Sequence, residues 1–135
     1  MKKILFAAAV SWLLCGCTGK KTQEKARLDD VIKVHDKVMG AEEHLMENKM
    51  KLDTLIMQRN LSGKDTAMVL RGSLVAADSS MEAWMNNFKA DYKGKTNEET
   101  AAYMSSQEKQ IMAIDSLFNV VIDKSNKYLL KIKAK

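Results

Sequence analysis

The sequence predicts an all-α protein: an antiparallel three-helix bundle with coiled-coil-like packing, preceded by a signal peptide and a short tether. The 135-residue chain has no proline and only six glycines, so little in it interrupts a helix. Apolar residues make up 46% of the chain, with ten methionines and only 6% aromatics, a composition that suits helices. Apolar side chains also recur every three or four residues, which is the period of a helix with one buried face.

Residues 1–16 predict a lipoprotein signal peptide. Lys2 and Lys3 precede an apolar run over residues 4–14 that is interrupted only by Ser11. A helix of this length reaches about 16 Å, roughly half of the hydrocarbon core of a bilayer. The run is therefore too short to span a membrane and has the length of a signal-peptide core.

Leu14, Cys15, Gly16 and Cys17 match a lipobox, in which an aliphatic residue precedes the lipidated cysteine by three positions and a small residue precedes it directly. Cys17 satisfies this pattern, whereas modification of Cys15 would need bulky Leu14 beside the cleaved bond. We therefore expect lipidation of Cys17, with two or three acyl chains that hold the protein on a bilayer. A disulfide two residues apart is strained, and a metal site lacks further cysteines. An uncleaved apolar anchor is the remaining alternative.

Residues 17–26 predict a lipidated N-terminus followed by a short polar tether. Thr18 stands where some envelopes use an aspartate to retain lipoproteins in the inner membrane. The segment also lacks the acidic run that some bacteria use for export to the cell surface. These features predict an outer-membrane lipoprotein that faces the periplasm, with tether lysines suited to anionic head groups.

Residues 27–135 predict the helical bundle, whose first helix is expected at roughly 24–60. Its apolar residues fall within one broad arc at about 100° per residue: Leu28, Val31, Ile32, Val38, Met39, Leu45, Met46, Leu52, Ile56 and Met57. Gly63 follows in a turn, where we expect a left-handed conformation.

The second helix is expected at roughly 64–93 and carries a heptad seam, with Gly94 closing the helix. The seam consists of Ala67, Leu70, Leu74, Ala77, Met81, Trp84 and Phe88. The turn glycines, Gly63 and Gly94, favour a chain that folds back on itself over a coiled coil between chains.

The third helix is expected at roughly 97–133. Thr96 and Glu99 have the spacing of a capping box at its start. Its seam has Gln107 and Ser125 as polar interruptions, and its apolar members are Met104, Ile111, Ile114, Phe118, Val121, Tyr128 and Ile132.

Met81, Trp84, Met85 and Phe88 form a candidate partner-binding cluster. Trp84 and Phe88 lie one helical turn apart and are bracketed by the two methionines. We favour a core plug, meaning that these side chains fill the core of the bundle. The alternative is a peptide-binding groove, since methionine-rich surfaces adapt to varied partners.

Met39, Met46, Met50 and Met57 project within about 40° of one another on the first helix. Such a row of thioethers suits Cu(I), a soft ion. Because the row continues from Ile32 on the expected core face, we favour core filling.

The two histidines, His35 and His44, lie nine residues apart and point to opposite faces of the first helix, so it cannot bring both to one ion. His35 lies in a polar line with Glu42 and Lys49. We interpret this line as a rim that fixes helix register rather than as a proton-sensitive or ligand-facing seam.

Charge and motifs argue against several classes of function. Without the two signal-peptide lysines, 20 basic residues face 17 acidic ones, and no basic stripe with interleaved aromatics indicates a nucleic-acid partner. The chain lacks a glycine-rich phosphate loop, a GxSxG elbow and an HExxH motif. We expect no catalytic residue, no metal site and no cofactor.

Residues 34–39 (VHDKVM) and 81–88 (MEAWMNNF) resemble a group of small, uncharacterised lipoproteins common in Bacteroidetes. Members are often labelled "viral A-type inclusion protein". The resemblance covers most of the mature chain. It implies that the protein is a lipoprotein with an all-helical domain. It implies no functional residue, because the group has no established activity.

The sequence predicts a cell-envelope lipoprotein whose bundle is a non-catalytic binding or scaffolding module. Its expected partners are the lipid bilayer, through acylated Cys17, and a protein that the sequence does not identify. One alternative is a membrane-to-peptidoglycan linker, since the chain ends in Lys135 as the murein lipoprotein ends in a lysine. Another is a periplasmic carrier of Cu(I) or an apolar ligand.

Overall fold

The computed structural model describes residues 18–58 and 62–133, which form three α-helices: α1 (Thr18–Ile56), α2 (Lys64–Asn87) and α3 (Asn97–Lys133). Each helix packs against the other two. The predicted all-α three-helix bundle is confirmed. At 1.5 Å per residue, α1 and α3 are about 55 to 60 Å long and α2 about 36 Å.

Side-chain bonds between α1 and α3 define their parallel register. Lys37 Nζ donates to Asp115 Oδ2 at 2.7 Å. Asn48 Nδ2 donates to Ser125 Oγ at 2.9 Å and to Asn126 Oδ1 at 2.8 Å. The bonded residues are 77 or 78 positions apart in each case. This constant offset places the first residues of α3 level with the first turn of α1.

The α1–α2 turn contains Gly63, whose φ of +83° lies in the left-handed region, as predicted. Its carbonyl accepts a hydrogen bond from the Tyr128 hydroxyl at 3.0 Å. A glycine is required here because this backbone conformation is costly for other residues. The bond from Tyr128 ties the turn between α1 and α2 to the last turns of α3.

The start of α1 differs from the predicted one. The helix begins at Thr18, six residues before position 24, so the stretch predicted as a polar tether is helical from Thr18 onward. The physical reason is local composition, because residues 20–27 are mostly lysine, glutamine, glutamate, alanine and arginine, all good helix formers.

The end of α2 also differs, since the helix stops at Asn87 rather than near 93. Phe88 adopts extended backbone angles, and the chain continues without helix to residue 96. The Asp91 side chain accepts from the backbone N–H of Lys93 at 3.0 Å, a local bond that competes with helix formation. Gly94, with φ +82°, therefore serves the turn before α3 and does not close α2.

The core follows one seam on each helix. The predicted α2 seam is confirmed, because each of its residues is buried or packs against buried residues. In α3, Met104, Ile111, Phe118 and Val121 are buried as predicted. In α1 the fully buried apolar residues step by seven and are Val31, Val38, Leu45 and Leu52.

The prediction that the α1 methionines fill the core is wrong for three of the four. Met46 packs against the core, but Met39 is exposed, Met50 is 60% exposed and Met57 is 84% exposed. Met39 lies one residue after Val38 and is turned by about 100° from the buried seam, whereas Met50 and Met57 lie five residues after Leu45 and Leu52 and are turned by about 140° from it. The two partner helices cover an arc that reaches Met46 but leaves these three on the surface.

Candidate functional site

The predicted lipobox, Leu14 to Cys17, lies outside the described residues. The first described residue, Thr18, follows Cys17 directly and begins α1. An acyl chain on Cys17 would therefore be joined to the bundle with no intervening non-helical residue. The sites that the structure does describe lie on the bundle itself.

The predicted partner-binding cluster is divided between core and surface. Met81 is 4% exposed and Trp84 is 7% exposed, and both belong to the core. Met85 is 38% exposed, and Phe88 is partly buried against the core. This distribution fits a core plug, because the two residues that would form the floor of a groove are covered by the bundle.

Trp84 is the inner end of an aromatic series that leads towards the α2–α3 connection. The ring of Phe88 stacks on Trp84 with centroids 4.9 Å apart, and Tyr103 lies 6.3 Å from Phe88. Tyr92 lies 6.4 Å from Tyr103 at a tilt of 58°. His35 also lies beside Trp84, with ring centroids 6.0 Å apart. Offset and tilted aromatic pairs at these separations stabilise the packing of the segment beyond the area they bury.

The indole Nε1 of Trp84 is buried and finds no hydrogen-bond acceptor among the described residues. Burying an unbonded donor carries a free-energy cost. Trp84 therefore stabilises the bundle through its ring contacts and not through a polar bond.

The non-helical segment 88–96 is held on the bundle by Tyr103, a residue that the sequence patterns did not single out. The backbone N–H of Lys89 donates to the Tyr103 hydroxyl at 2.7 Å, and the Lys95 ammonium lies 5.3 Å from the ring centroid. Tyr92 adds a contact from its hydroxyl to Met104 Sδ at 3.7 Å. These bonds fix the segment at several points along its length.

The predicted capping box closes this segment. The backbone N–H of Thr96 donates to Glu99 Oε2 at 2.8 Å, and the N–H of Glu99 donates to Thr96 Oγ1 at 3.2 Å. The backbone N–H of Thr96, and then its hydroxyl, hold the pKa of the Glu99 carboxyl below its ordinary value. The capping box predicted from Thr96 and Glu99 is confirmed.

A buried polar junction, which sequence reasoning found only in part, joins α1 to α3. Ser125 was noted as a polar interruption, and its hydroxyl donates to the Val121 carbonyl at 2.8 Å while accepting from Asn48. Asn48 was missed because it lies outside the apolar pattern of α1. The junction has the form of a register-fixing contact, since buried amides pair only when the helices are correctly aligned.

The polar line of α1 that we interpreted as a rim, His35, Glu42 and Lys49, is partly buried along its length. His35 is half-buried, and its Nδ1 lies 3.0 Å from Asp36 Oδ1, while His44 is exposed. Within residues 18–58 and 62–133, no three His, Cys, Asp or Glu side chains lie close enough together to hold a metal ion. Among the soft ligands of α1, Met39, Met50 and Met57 leave their thioethers exposed.

A shallow surface hollow of about 230 Å³ lies between α1 and α3, lined by Lys51, Asn126, Leu129, Leu130 and Lys133. Lys51 Nζ donates to Glu47 Oε1 at 2.6 Å. This bond and the charge of Lys51 lower the pKa of the Glu47 carboxyl, with a smaller effect of Lys133. Lys51 is therefore already paired with a carboxylate of its own helix.

Comparisons with protein families, curated proteins and solved structures found no match to this chain. None of the described helices has a stretch long and apolar enough to cross a membrane.

Proposed function

We propose that this chain is a bacterial cell-envelope lipoprotein, anchored through acylated Cys17, whose helical bundle is a non-catalytic binding or scaffolding module. The observation that carries the proposal is the lipobox, Leu14 to Cys17, placed after an apolar run of signal-peptide length. The resemblance of residues 34–39 and 81–88 to small Bacteroidetes lipoproteins also supports attachment to the cell envelope as a lipoprotein.

The arrangement of the bundle supports a scaffolding role. Among the side chains that the structure describes, the buried polar ones belong to Asn48, Thr100 and Ser125. Asn48 and Ser125 bond to each other across two helices, as a structural contact does. The titratable side chains of the described residues are distributed over the surface, where they make short ion pairs such as Lys127 with Asp123. Such a surface suits contact with other molecules rather than chemistry on them.

Metabolic labelling with palmitate tests the anchor. We expect incorporation in the natural chain and in Cys15→Ala, because Cys15 leaves with the signal peptide. We expect none in Cys17→Ala. Equal incorporation in Cys17→Ala would contradict the proposal, and the paired cysteine substitutions control for expression and export.

Membrane fractionation tests the proposed outer-membrane position. We expect the natural chain in the outer-membrane fraction. In an envelope that retains lipoproteins by an aspartate after the cysteine, Thr18→Asp should move the chain to the inner membrane. Recovery of the natural chain in the inner membrane would contradict this part of the proposal.

A second candidate function, carriage of Cu(I), is favoured by the exposure of the α1 methionines. Met50 and Met57 present thioethers to solvent instead of filling the core. Competition with a Cu(I) chelator tests this function. Met50→Leu should weaken Cu(I) binding, whereas Met112→Leu, at an exposed methionine on α3, should not. Absence of competition by the natural chain would exclude this candidate.

Attachment of Lys135 to peptidoglycan stays a prediction, because Lys135 lies outside the described residues. Sacculi that retain the protein in hot detergent, and lose it when Lys135 is deleted, would support the linker. Complete extraction of the natural chain would count against it.

A further inference from the structure

We propose that segment 88–96 and the first turns of α1 form a docking surface for an anionic phospholipid bilayer, so that the bundle stands on this end against the membrane. The inference rests on the proposed anchor at Cys17. It adds to the anchor the part of the folded bundle that faces the lipid head groups.

The geometry of the helices brings segment 88–96 close to the anchor. α1 begins at Thr18, so its first ten residues lie within about 15 Å of Cys17 along the helix axis. The offset of 77 or 78 residues between α1 and α3 puts Asn97, the first residue of α3, level with residues 19 and 20. Segment 88–96 ends next to that residue, so its last residues lie at the anchored end, while its first residue, Phe88, packs on Trp84 beside His35, about 25 Å along α1 from Thr18.

Charge at this end is complementary to an anionic bilayer. The cations of residues 18–27 and 88–99 outnumber the carboxylates by seven to four, whereas the rest of the chain after Cys17 holds thirteen of each. The cations are Lys20, Lys21, Lys25, Arg27, Lys89, Lys93 and Lys95, and the carboxylates are Glu24, Asp91, Glu98 and Glu99. The opposite end is also basic, with five cations and one carboxylate in residues 62–66 and 124–133, so the neighbouring anchor at Cys17, together with this charge, selects the anchored end for the bilayer.

Two of those carboxylates already make local bonds. Glu99 accepts from the Thr96 backbone, and Asp91 accepts from the Lys93 backbone. Lys93 itself is exposed, with its ammonium at 4.0 Å from Asp91 Oδ2, the outer limit of an ion pair. Lysines within a Debye length of a negative leaflet are attracted to it, so this lysine is available to the head groups.

Segment 88–96 is also ordered before any contact with lipid. Tyr103 binds its backbone at Lys89 and lies under the ammonium of Lys95, and the capping box at Thr96 fixes its end. A preorganised segment loses little conformational freedom on docking. Tyr103 also suits a position near the lipid head groups, because the ring and hydroxyl of tyrosine are favoured at the membrane–water interface.

Quenching of a dye by head-group-labelled lipid tests the proposal in the full lipidated chain. A single cysteine is introduced either at Ala90, in the docking segment, or at Thr66, at the opposite end of the bundle. In vesicles containing phosphatidylglycerol, the dye at position 90 should be quenched at least about twofold more than the dye at position 66. Vesicles of phosphatidylcholine alone should remove most of this difference.

Charge reversal provides the matched variants. Lys93→Glu with Lys95→Glu should reduce quenching at position 90 to the level in phosphatidylcholine vesicles. Lys64→Glu with Lys124→Glu carries the same charge change away from the segment and should leave quenching unchanged. Circular dichroism establishes that both double variants remain folded.

Equal quenching at positions 90 and 66, or quenching at 90 that survives the reversal of Lys93 and Lys95, would overturn the docking proposal. Failure of the anchor has a different signature. In the chain without an introduced cysteine, the dye would then react with a bare Cys17 thiol, and the protein would not float with the vesicles.

Discussion

Truncation of Asn48 to alanine tests how α1 and α3 are aligned. The Asn48 side chain is buried and donates two short hydrogen bonds across the interface, to Ser125 at 2.9 Å and to Asn126 at 2.8 Å. Asn48→Ala removes both bonds and leaves a small void. Ser125 keeps its own bond to the Val121 carbonyl at 2.8 Å, so it is not left without a partner.

The expected cost follows from these contacts. Each bond contributes about 0.5 to 1.5 kcal/mol, and with the void we expect Asn48→Ala to lower the free energy of unfolding by about 2 kcal/mol. Urea unfolding followed by circular dichroism measures this directly. For a denaturant dependence of about 2 kcal/mol per molar, the midpoint should fall by about 1 M.

Asn119→Ala is the matched control for Asn48→Ala. Asn119 is exposed, and its amide donates to the Asp115 carbonyl of its own helix at 2.8 Å. Its replacement should change the free energy of unfolding by less than about 0.5 kcal/mol. In a Ser125→Ala background, Asn48→Ala should cost less than in the natural chain, because one of its partners is already gone. Equal costs for Asn48→Ala and Asn119→Ala would show that the Asn48 bonds do not stabilise the α1–α3 alignment.

The remaining predictions concern the turn, the core and the capping box. Gly63→Ala should destabilise the bundle by about 1 to 2 kcal/mol because of its positive φ, whereas Gly72→Ala, with open space around an added Cβ, should stabilise it by about 0.5 to 1 kcal/mol, both measured by thermal unfolding. Phe118→Ala should cost about 3 to 5 kcal/mol in urea unfolding, and a cost below about 1 kcal/mol would contradict its place in the core. Because the folded state lowers the pKa of Glu99 from 4.5, its contribution is present above that pH and lost as the pH falls through the lower folded pKa. Glu99→Gln should therefore flatten the acid side of the stability profile, and an unchanged profile would contradict this role of the capping box.

The sequence shows which side of each helix is buried. It does not show how wide that buried face is. The α2 seam alternates steps of three and four without interruption, so one interpretation fits it and the structure agrees. In α1 the apolar arc is broader than two neighbouring helices can cover. Periodicity alone does not say whether Val38 or Met39 marks its centre. That depends on where α2 and α3 lie, which is a tertiary property.

Two features of the candidate sites depended on contacts that no local pattern contains. Tyr103 reaches across from α3 to the Lys89 backbone, and Asn48 reaches Ser125 over 77 positions. In both pairs the two residues are far apart in the sequence, so no local spacing indicates that they are in contact. The capping box at Thr96 was predictable because both of its bonds lie within four residues.

The intact mass of the mature protein, extracted from membranes with detergent, tests whether Cys17 carries the lipid anchor. We expect a chain that begins at Cys17 and carries the mass of a diacylglyceryl group, with or without a third acyl chain. A chain that begins at Met1, or one that begins at Cys17 with an unmodified thiol, would contradict it.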